Sequence, residues 1–207
     1  MMNAKNAKSG MGSEHMKLII LDRDGVINQD SDSFIKTPEE WIPLPGSLEA
    51  IARLNQADYR VVVSTNQSGV GRGLFAMATL NAIHQKMHTS AQQVGATIDA
   101  VFFCPHTQDD NCDCRKPKSG MLVEIAKRFE INLRHENVVV VGDSLRDLQA
   151  GFVVGCRPYL VLTGKGQDTM SKGGLPPGTK VYADLAEVVE VLLSTDRTPP
   201  APIETLS

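Results

Sequence analysis

Two aspartates one residue apart, Asp22 and Asp24, follow the apolar run Lys17-Leu18-Ile19-Ile20-Leu21, and Gly25-Val26-Ile27-Asn28 comes directly after them. The run reads as a strand, and alternate residues leaving a strand share a face, so both carboxylates stand together at its carboxyl end. Ligands of open α/β sheets bind just beyond those ends. Two carboxylates held close repel unless a cation lies between them, and hard oxygen donors suit Mg²⁺. One carboxylate can attack phosphorus while the other moves a proton, which is the equipment for phosphoryl transfer through an aspartyl-phosphate.

Three further stretches carry matching chemistry. Val61-Val62-Val63 runs into Ser64-Thr65-Asn66-Gln67-Ser68-Gly69, whose hydroxyls, amides and backbone N–H groups can donate to phosphate oxygens; the same residues are also ordinary turn formers. Gly69-Val70-Gly71-Arg72-Gly73 lacks the Gly-Lys-Ser/Thr ending of a Walker loop and is expected to be a flexible turn, with Arg72 a candidate substrate contact. Arg115-Lys116-Pro117 offers a lysine point charge to offset carboxylates and hold a phosphoryl group, and an arginine fork for a second phosphate or sugar oxygens. Isolated, that pair would read as a solvated patch. Val138–Val141 leads into Gly142-Asp143-Ser144-Leu145-Arg146-Asp147. Asp143 is placed to complete a Mg²⁺ site with Asp22 and the backbone carbonyl near Asp24, and Asp147 to orient a bound water or Lys116 from behind; an N-cap is the competing reading of the Gly-Asp turn.

Cys104-Pro105-His106 and Cys112-Asp113-Cys114 form C-x-H-x5-C-x-C, a closed Cys₃His set of the kind that holds structural zinc. Arg115 and Lys116 leave directly after the last of these ligands, so a metal-folded loop would aim them. Cys156 reads as a small core residue. His84 and His88 lack the glutamate of a zincin motif and are expected as polar residues on a half-exposed helix face. His15 and His135 have no evident partners. Trp41 is expected to anchor the loop before the first helix.

The elements that must position these residues follow from alternation of apolar runs with helical patterns, which implies βαβ units and a parallel sheet. Strands are expected at Lys17–Leu21, Arg60–Ser64, Ala100–Phe103, Asn137–Val141 and Tyr159–Leu162. Leu48, Ile51 and Leu54 stripe a first helix capped by Ser47; others are expected over Thr79–Gln93, Ser119–Glu130, Leu145–Gly155 and from Asp184, with Glu187 near a capping-box position. The fold expected is α/β: a single-domain, Rossmann-like parallel sheet with helices on both faces, a short zinc-bound loop and no cap domain, since the loops after Asp24 and Ser64 are too short for one. The site should therefore be open. Residues 1–15 are expected as a disordered leader, 16–194 as the folded domain and 195–207 as a flexible tail.

At 207 residues, 42% hydrophobic and 22% charged, the composition is that of an ordinary globular domain. A net charge of −3 disfavours extended nucleic-acid binding, and no apolar run approaches the ~20 residues of a membrane span. Without an export signal, a cytoplasmic monomer is expected, binding a small molecule rather than nucleic acid or membrane.

Asp22-Arg23-Asp24-Gly25, Thr65-Asn66, Lys116 and Gly142-Asp143 followed by Asp147 together resemble the four motifs of the haloacid dehalogenase-like phosphatases, over about Met16 to Leu193. The resemblance implies Asp22 as nucleophile, Asp24 as general acid then base, Thr65 and Lys116 as phosphoryl stabilisers, and Mg²⁺ held at Asp22, Asp24 and Asp143. Adding Zn²⁺ at Cys104, His106, Cys112 and Cys114 narrows it to two branches, the heptose 1,7-bisphosphate phosphatases and the histidinol-phosphate phosphatases. The wider motif set looks most like the heptose branch, which implies release of the 7-phosphate in the supply of ADP-heptose for lipopolysaccharide. The length of the zinc loop is closer to the histidinol-phosphate branch. In either branch the family pattern puts substrate contacts on Asp30, Ser31, Asp32, Ser33, Thr65, Asn66, Gln67, Ser68, Arg115 and Lys116. A different class, a non-catalytic zinc-containing binding module, would be expected to have lost an aspartate or the lysine.

Overall fold

A computed structural model describes residues 16–134 and 138–196. The expected leader with His15, the residues His135 and Asn137, and the tail from 197 onward lie outside the described residues. The five apolar runs form parallel strands β1 (Lys17–Leu21), β2 (Tyr59–Asn66), β3 (Ala100–Cys104), β4 (Val138–Gly142) and β5 (Arg157–Val161), joined by a short β6 (Lys180–Tyr182). Their order is β3-β2-β1-β4-β5-β6, so β1 lies inside the sheet, with Leu21 level with Val63 of β2 and Val141 of β4.

Seven helices are described: α1 (Ser47–Gln56), α2 (Ser68–Gly71), α3 (Met77–Gln93), α4 (Gly120–Phe129), α5 (Leu145–Val154), α6 (Gly166–Lys172) and α7 (Leu185–Asp196). Strand residues of one parity, Ile19, Val61 and Val139 among them, pack under α1, α3 and α7 through Ile51, Ile83 and Val188. Those of the other parity, Leu18, Ile20, Val62 and Val140, pack under α4 and α5 through Leu122, Ile125 and Ala150. Both faces of the sheet are thus covered, which is why its strands read as unbroken apolar runs and not as alternating ones. Trp41 is fully buried in the first of these cores, as anchor of the segment before α1.

Several local expectations are corrected. Ser47 is not the cap of α1: Gly46 holds that position at φ 76°, and Ser47 Oγ donates to the Ile27 carbonyl (2.7 Å), tying the helix to the segment after β1. Residues 68–71 are a helical turn and not a flexible one, held by Gly71 N–H on the Pro105 carbonyl (3.0 Å) and Arg72 N–H on the Ser68 carbonyl (3.0 Å). Neither α6 nor β6 was legible, being seven and three residues long. α7 includes Ser194 and Thr195, expected in the tail; both hydroxyls donate back to the Val191 carbonyl (2.9 and 2.8 Å) and complete the last turn.

α5 can lie close on β4 because residue 151 is glycine. A Cβ there would fall 2.2 Å from Val140 Cγ1 and 3.0 Å from its Cβ. Alanine is the better helix former by about 1 kcal/mol, but overpacking a closed interface costs about 1–3 kcal/mol. Gly151→Ala is therefore expected to lower stability in urea unfolding; an unchanged midpoint would show that β4 and α5 part freely.

Candidate active site

The carboxyl ends of β1, β2 and β4 open into one cleft of about 270 Å³. Asp22 leaves β1 with its backbone N–H on the Val141 carbonyl of β4 (2.9 Å), and its Oδ1 accepts the Arg23 N–H (2.7 Å). The Lys116 ammonium lies 3.1 Å from the same Oδ1, 2.5 Å from Asp147 Oδ1 and 2.7 Å from the Ser64 carbonyl. With Lys116 only 3% exposed, these three acceptors use all three of its N–H donors. Asn66 fixes the backbone beneath, donating to the Lys116 carbonyl and accepting its N–H (3.1 Å each).

Asp143, at the end of β4, completes a group of carboxylates with Asp22 and Asp147 whose ligand oxygens all lie within 4.8 Å of one another. Burial first, then the charge of Asp147, pushes Asp22 up to about 7 against the pull of Lys116. Burial, then Asp147 and Asp22, pushes Asp143 up to about 8. Such crowding of acids is what a divalent cation relieves, so this oxygen donor set fits Mg²⁺. Gly25 is required here: at φ 80° its backbone passes so near Asp143 that a Cβ would fall 2.0 Å from Oδ2.

Asp147 does more than stand behind Lys116. Its Oδ2 accepts both the N–H (3.1 Å) and the hydroxyl (2.5 Å) of Ser144, the cap of α5. The competing N-cap reading and the second-sphere reading thus describe one residue pair.

Asp24 faces the same cleft, but its carboxylate is already engaged. Arg23 Nη2 donates to Oδ1 and Oδ2 (2.9 and 3.0 Å), Asn28 Nδ2 to Oδ1 (2.9 Å) and Gln67 Nε2 to Oδ2 (2.9 Å). Burial opposes ionisation, yet the Arg23 charge and these donors hold Asp24 below the usual carboxylate range. Gln67 Nε2 also donates to Thr65 Oγ1 (3.0 Å), which leaves the Thr65 hydroxyl proton free to point elsewhere.

Arg23 is itself fully buried and ends on His84, Nη1 to Nε2 at 3.3 Å. His84 is therefore not on a half-exposed face as expected. It is buried, tilted against Phe103, and its Nε2 must be the acceptor because arginine only donates. Burial, then the neighbouring Arg23 charge, pushes it down to about 4. A histidine that binds its proton more tightly unfolded (near 6.5) than folded lowers stability as pH falls through 6.5 towards 4. The expected loss is on the order of 3 kcal/mol, and His84→Gln should remove it. Urea unfolding of both proteins at pH 7 and pH 4.5 checks this; parallel losses would sink it.

Of the expected substrate contacts, Asp30, Ser31 and Asp32 from the segment after β1 line the cleft, as do Thr65, Asn66, Gln67 and Ser68 from β2 and α2. Ser33 does not: it is exposed, and its N–H is turned to Ser31 Oγ (3.2 Å). Arg72, Arg115 and Arg146 add three guanidinium groups to the lining. Lys165, between β5 and α6, also reaches the cleft and was missed; its one signal is that it follows an apolar strand run, as the other cleft residues do.

Beside the cleft, Cys104 Sγ, His106 Nδ1, Cys112 Sγ and Cys114 Sγ lie 3.2–3.6 Å apart along five of their edges, with no disulfide. Ligands about 2.1–2.3 Å from a tetrahedral Zn²⁺ require nearly that spacing, so the set fits zinc. Burial, then the hydrogen bond with Cys114, pushes the Cys104 thiol up to about 12, whereas hydrogen bonds from Cys114 and Cys104 overcome burial and bring Cys112 to about 7. Arg115 Nη1 donates to the His106 carbonyl (3.3 Å), which ties that guanidinium to the Cys/His loop. Among the described residues, no helix is long and apolar enough to cross a membrane.

Residues 113–188 match the HAD-hydrolase-like family model. Over 178 residues, 86% of this chain and 98% of the relative, the sequence is 62% identical to D-glycero-β-D-manno-heptose-1,7-bisphosphate 7-phosphatase of Bordetella bronchiseptica. The enzyme of the same name from Neisseria meningitidis serogroup A is 52% identical over 188 residues, 90% of this chain and all of that one. A crystal structure of D,D-heptose 1,7-bisphosphate phosphatase from B. bronchiseptica, complexed with magnesium and phosphate, superposes with a TM-score of 0.85, covering 87% of this chain and 99% of that one. The chain belongs to the D-glycero-β-D-manno-heptose-1,7-bisphosphate 7-phosphatase family of HAD-like phosphatases.

Proposed function

We propose that this enzyme hydrolyses the 7-phosphate of D-glycero-β-D-manno-heptose 1,7-bisphosphate, leaving heptose 1-phosphate for ADP-heptose and lipopolysaccharide synthesis. The observation that carries this reading is the Asp22 carboxylate at the cleft floor, with the Lys116 ammonium 3.1 Å away and two further carboxylates beside it.

An Asp22 oxygen attacks phosphorus, the bond from phosphorus to the sugar O7 breaks, and Asp24 gives its proton to the leaving alkoxide. Water then attacks the aspartyl-phosphate, gives a proton to Asp24, and releases inorganic phosphate with Asp22 restored. Every donor around Asp24 favours its anion, the form needed in the second step. To act as acid it must take up a proton and let go of at least one donor, and the Gln67 amide, which also serves Thr65, is placed to yield. As Asp22 is consumed, the Lys116 N–H it accepts turns to a phosphoryl oxygen, joined by the free Thr65 hydroxyl. Mg²⁺ held by Asp22, Asp143 and the Asp24 backbone supplies the positive charge that lets a carboxylate and a phosphate dianion meet.

Substrate contacts are assigned to Asp30–Ser33, Thr65–Ser68, Arg115 and Lys116, with Ser33 acting through Ser31. Zinc at Cys104, His106, Cys112 and Cys114 holds the loop that aims Arg115 and Lys116. The partner is a small phosphorylated sugar, and the enzyme is read as a cytoplasmic monomer.

The test is Mg²⁺-dependent phosphate release from the 1,7-bisphosphate beside histidinol phosphate. Preference for the bisphosphate supports the reading, and preference for histidinol phosphate overturns it. Stripping zinc with a chelator is expected to lower kcat/KM about 10–100-fold, as loss of groups that orient a site does; zinc and not magnesium should restore it. Full activity in verified zinc-free protein would refute the aiming role.

A further inference from the structure

Lys165 belongs to none of the motifs used above, yet its backbone is pinned to the centre of the site. Its N–H donates to Asp143 Oδ2 (2.7 Å), Thr163 Oγ1 donates to the Gly25 carbonyl (2.6 Å), and Thr169 Oγ1 donates to the Asp143 carbonyl (2.8 Å). Gly164 packs so tightly that a Cβ would fall 2.2 Å from Asp143 Oδ2. From this fixed base the side chain reaches the segment after β1. Its Nζ lies 2.8 Å from Asp30 Oδ2 and 3.8 Å from Asp32 Oδ1. The other oxygen of Asp30 accepts the Ser31 N–H (2.8 Å), so both are occupied.

We propose that Lys165 sets the charge selectivity of the cleft: it covers the Asp30 and Asp32 carboxylates that would otherwise receive an ammonium group, and leaves the mouth fit for hydroxyls and a second phosphate. This rests on the functional reading above and explains how one set of phosphoryl-transfer residues prefers a sugar bisphosphate to an amine-bearing monoester. Left bare, Asp30 and Asp32 would attract an amine tail and repel a second phosphate. With Lys165 in place the amine meets a like charge, while the cations of the mouth, Lys165, Arg72, Arg115 and Arg146, attract the phosphate. Lys165 is 45% exposed, so its field reaches the entering substrate and is weakened by salt.

The test compares kcat/KM of wild type, Lys165→Met and Lys165→Arg on heptose 1,7-bisphosphate, histidinol phosphate and glycerol 3-phosphate, whose uncharged tail reports the phosphoryl chemistry alone. Relative to glycerol 3-phosphate, Lys165→Met is expected to raise histidinol phosphate about tenfold and lower the bisphosphate about tenfold, through KM; Lys165→Arg should keep the wild-type ratios. If all three substrates change by one factor, Lys165 merely steadies Asp143 and the proposal is overturned, as it is if the ratios stay put. If wild type releases no phosphate from the bisphosphate, the functional reading fails instead, and the ratio of histidinol phosphate to glycerol 3-phosphate still decides for or against Lys165.

Discussion

Asp22→Asn is expected to reduce phosphate release by at least about 10⁴-fold, because an amide of the same shape cannot attack phosphorus and no other group stands where it does. Loss of activity alone would not separate chemistry from unfolding, but the surroundings of Asp22 supply the distinction. Its carboxyl is pushed up to about 7, mainly by burial and by Asp147. An acid that holds its proton more tightly folded than unfolded lowers stability as pH rises from its usual range through about 7. Removing that charge should therefore raise the melting temperature of the metal-free protein at pH 8 while Mg²⁺ affinity falls. A variant that is stabler without metal and inactive with it would fit a nucleophile. Retention of even a tenth of the activity would end the aspartyl-phosphate mechanism.

Lys116→Met is expected to fail on both counts. Breaking a buried ion pair by removing one partner costs about 3–5 kcal/mol, because the other charges stay buried without compensation. Here the stranded groups are Asp22 and Asp147, with Asp143 beside them, and methionine fills the space of the side chain while supplying no charge. The activity loss should reach about 10³-fold or more, since the same ammonium is the donor nearest the transferring group. Acidification should narrow the stability gap by protonating the carboxylates, and urea unfolding at pH 5 and pH 8 measures it. A gap that stays constant between those pH values would mean the lysine acts by packing and not by charge.

What was legible in the chain was whatever its neighbours in sequence determine. Asp22, Asp24, Thr65 and Asp143 each end an apolar run, and a buried parallel strand must deliver its last residues to the same edge of the sheet. The Cys/His set was legible because it closes on itself within eleven residues. Groups whose surroundings come from far along the chain were not. His84 looked like a surface residue since nothing nearby in α3 shows that Arg23, sixty-one residues earlier, ends on it. Lys165 sits in an unremarkable Thr-Gly-Lys-Gly stretch, and only the folded chain puts it on Asp30. Ser47 had the right residue type for a cap, but a tertiary acceptor, the Ile27 carbonyl, took its hydroxyl.

The sheet order also dictates when the site can exist during synthesis. β1 pairs on one side with β2, which follows soon after it, and on the other with β4, about 120 residues downstream. A nascent chain carrying β1 to β3 can begin to pair, but the second edge of β1 stays bare, and an unpaired apolar edge invites association with other chains. The Asp22 N–H then has no Val141 carbonyl, and Asp143 has not been made. Ribosome-bound chains should therefore stay protease-sensitive and dependent on chaperones until β4 has cleared the exit tunnel, and then acquire compactness and the metal-binding carboxylates in one step.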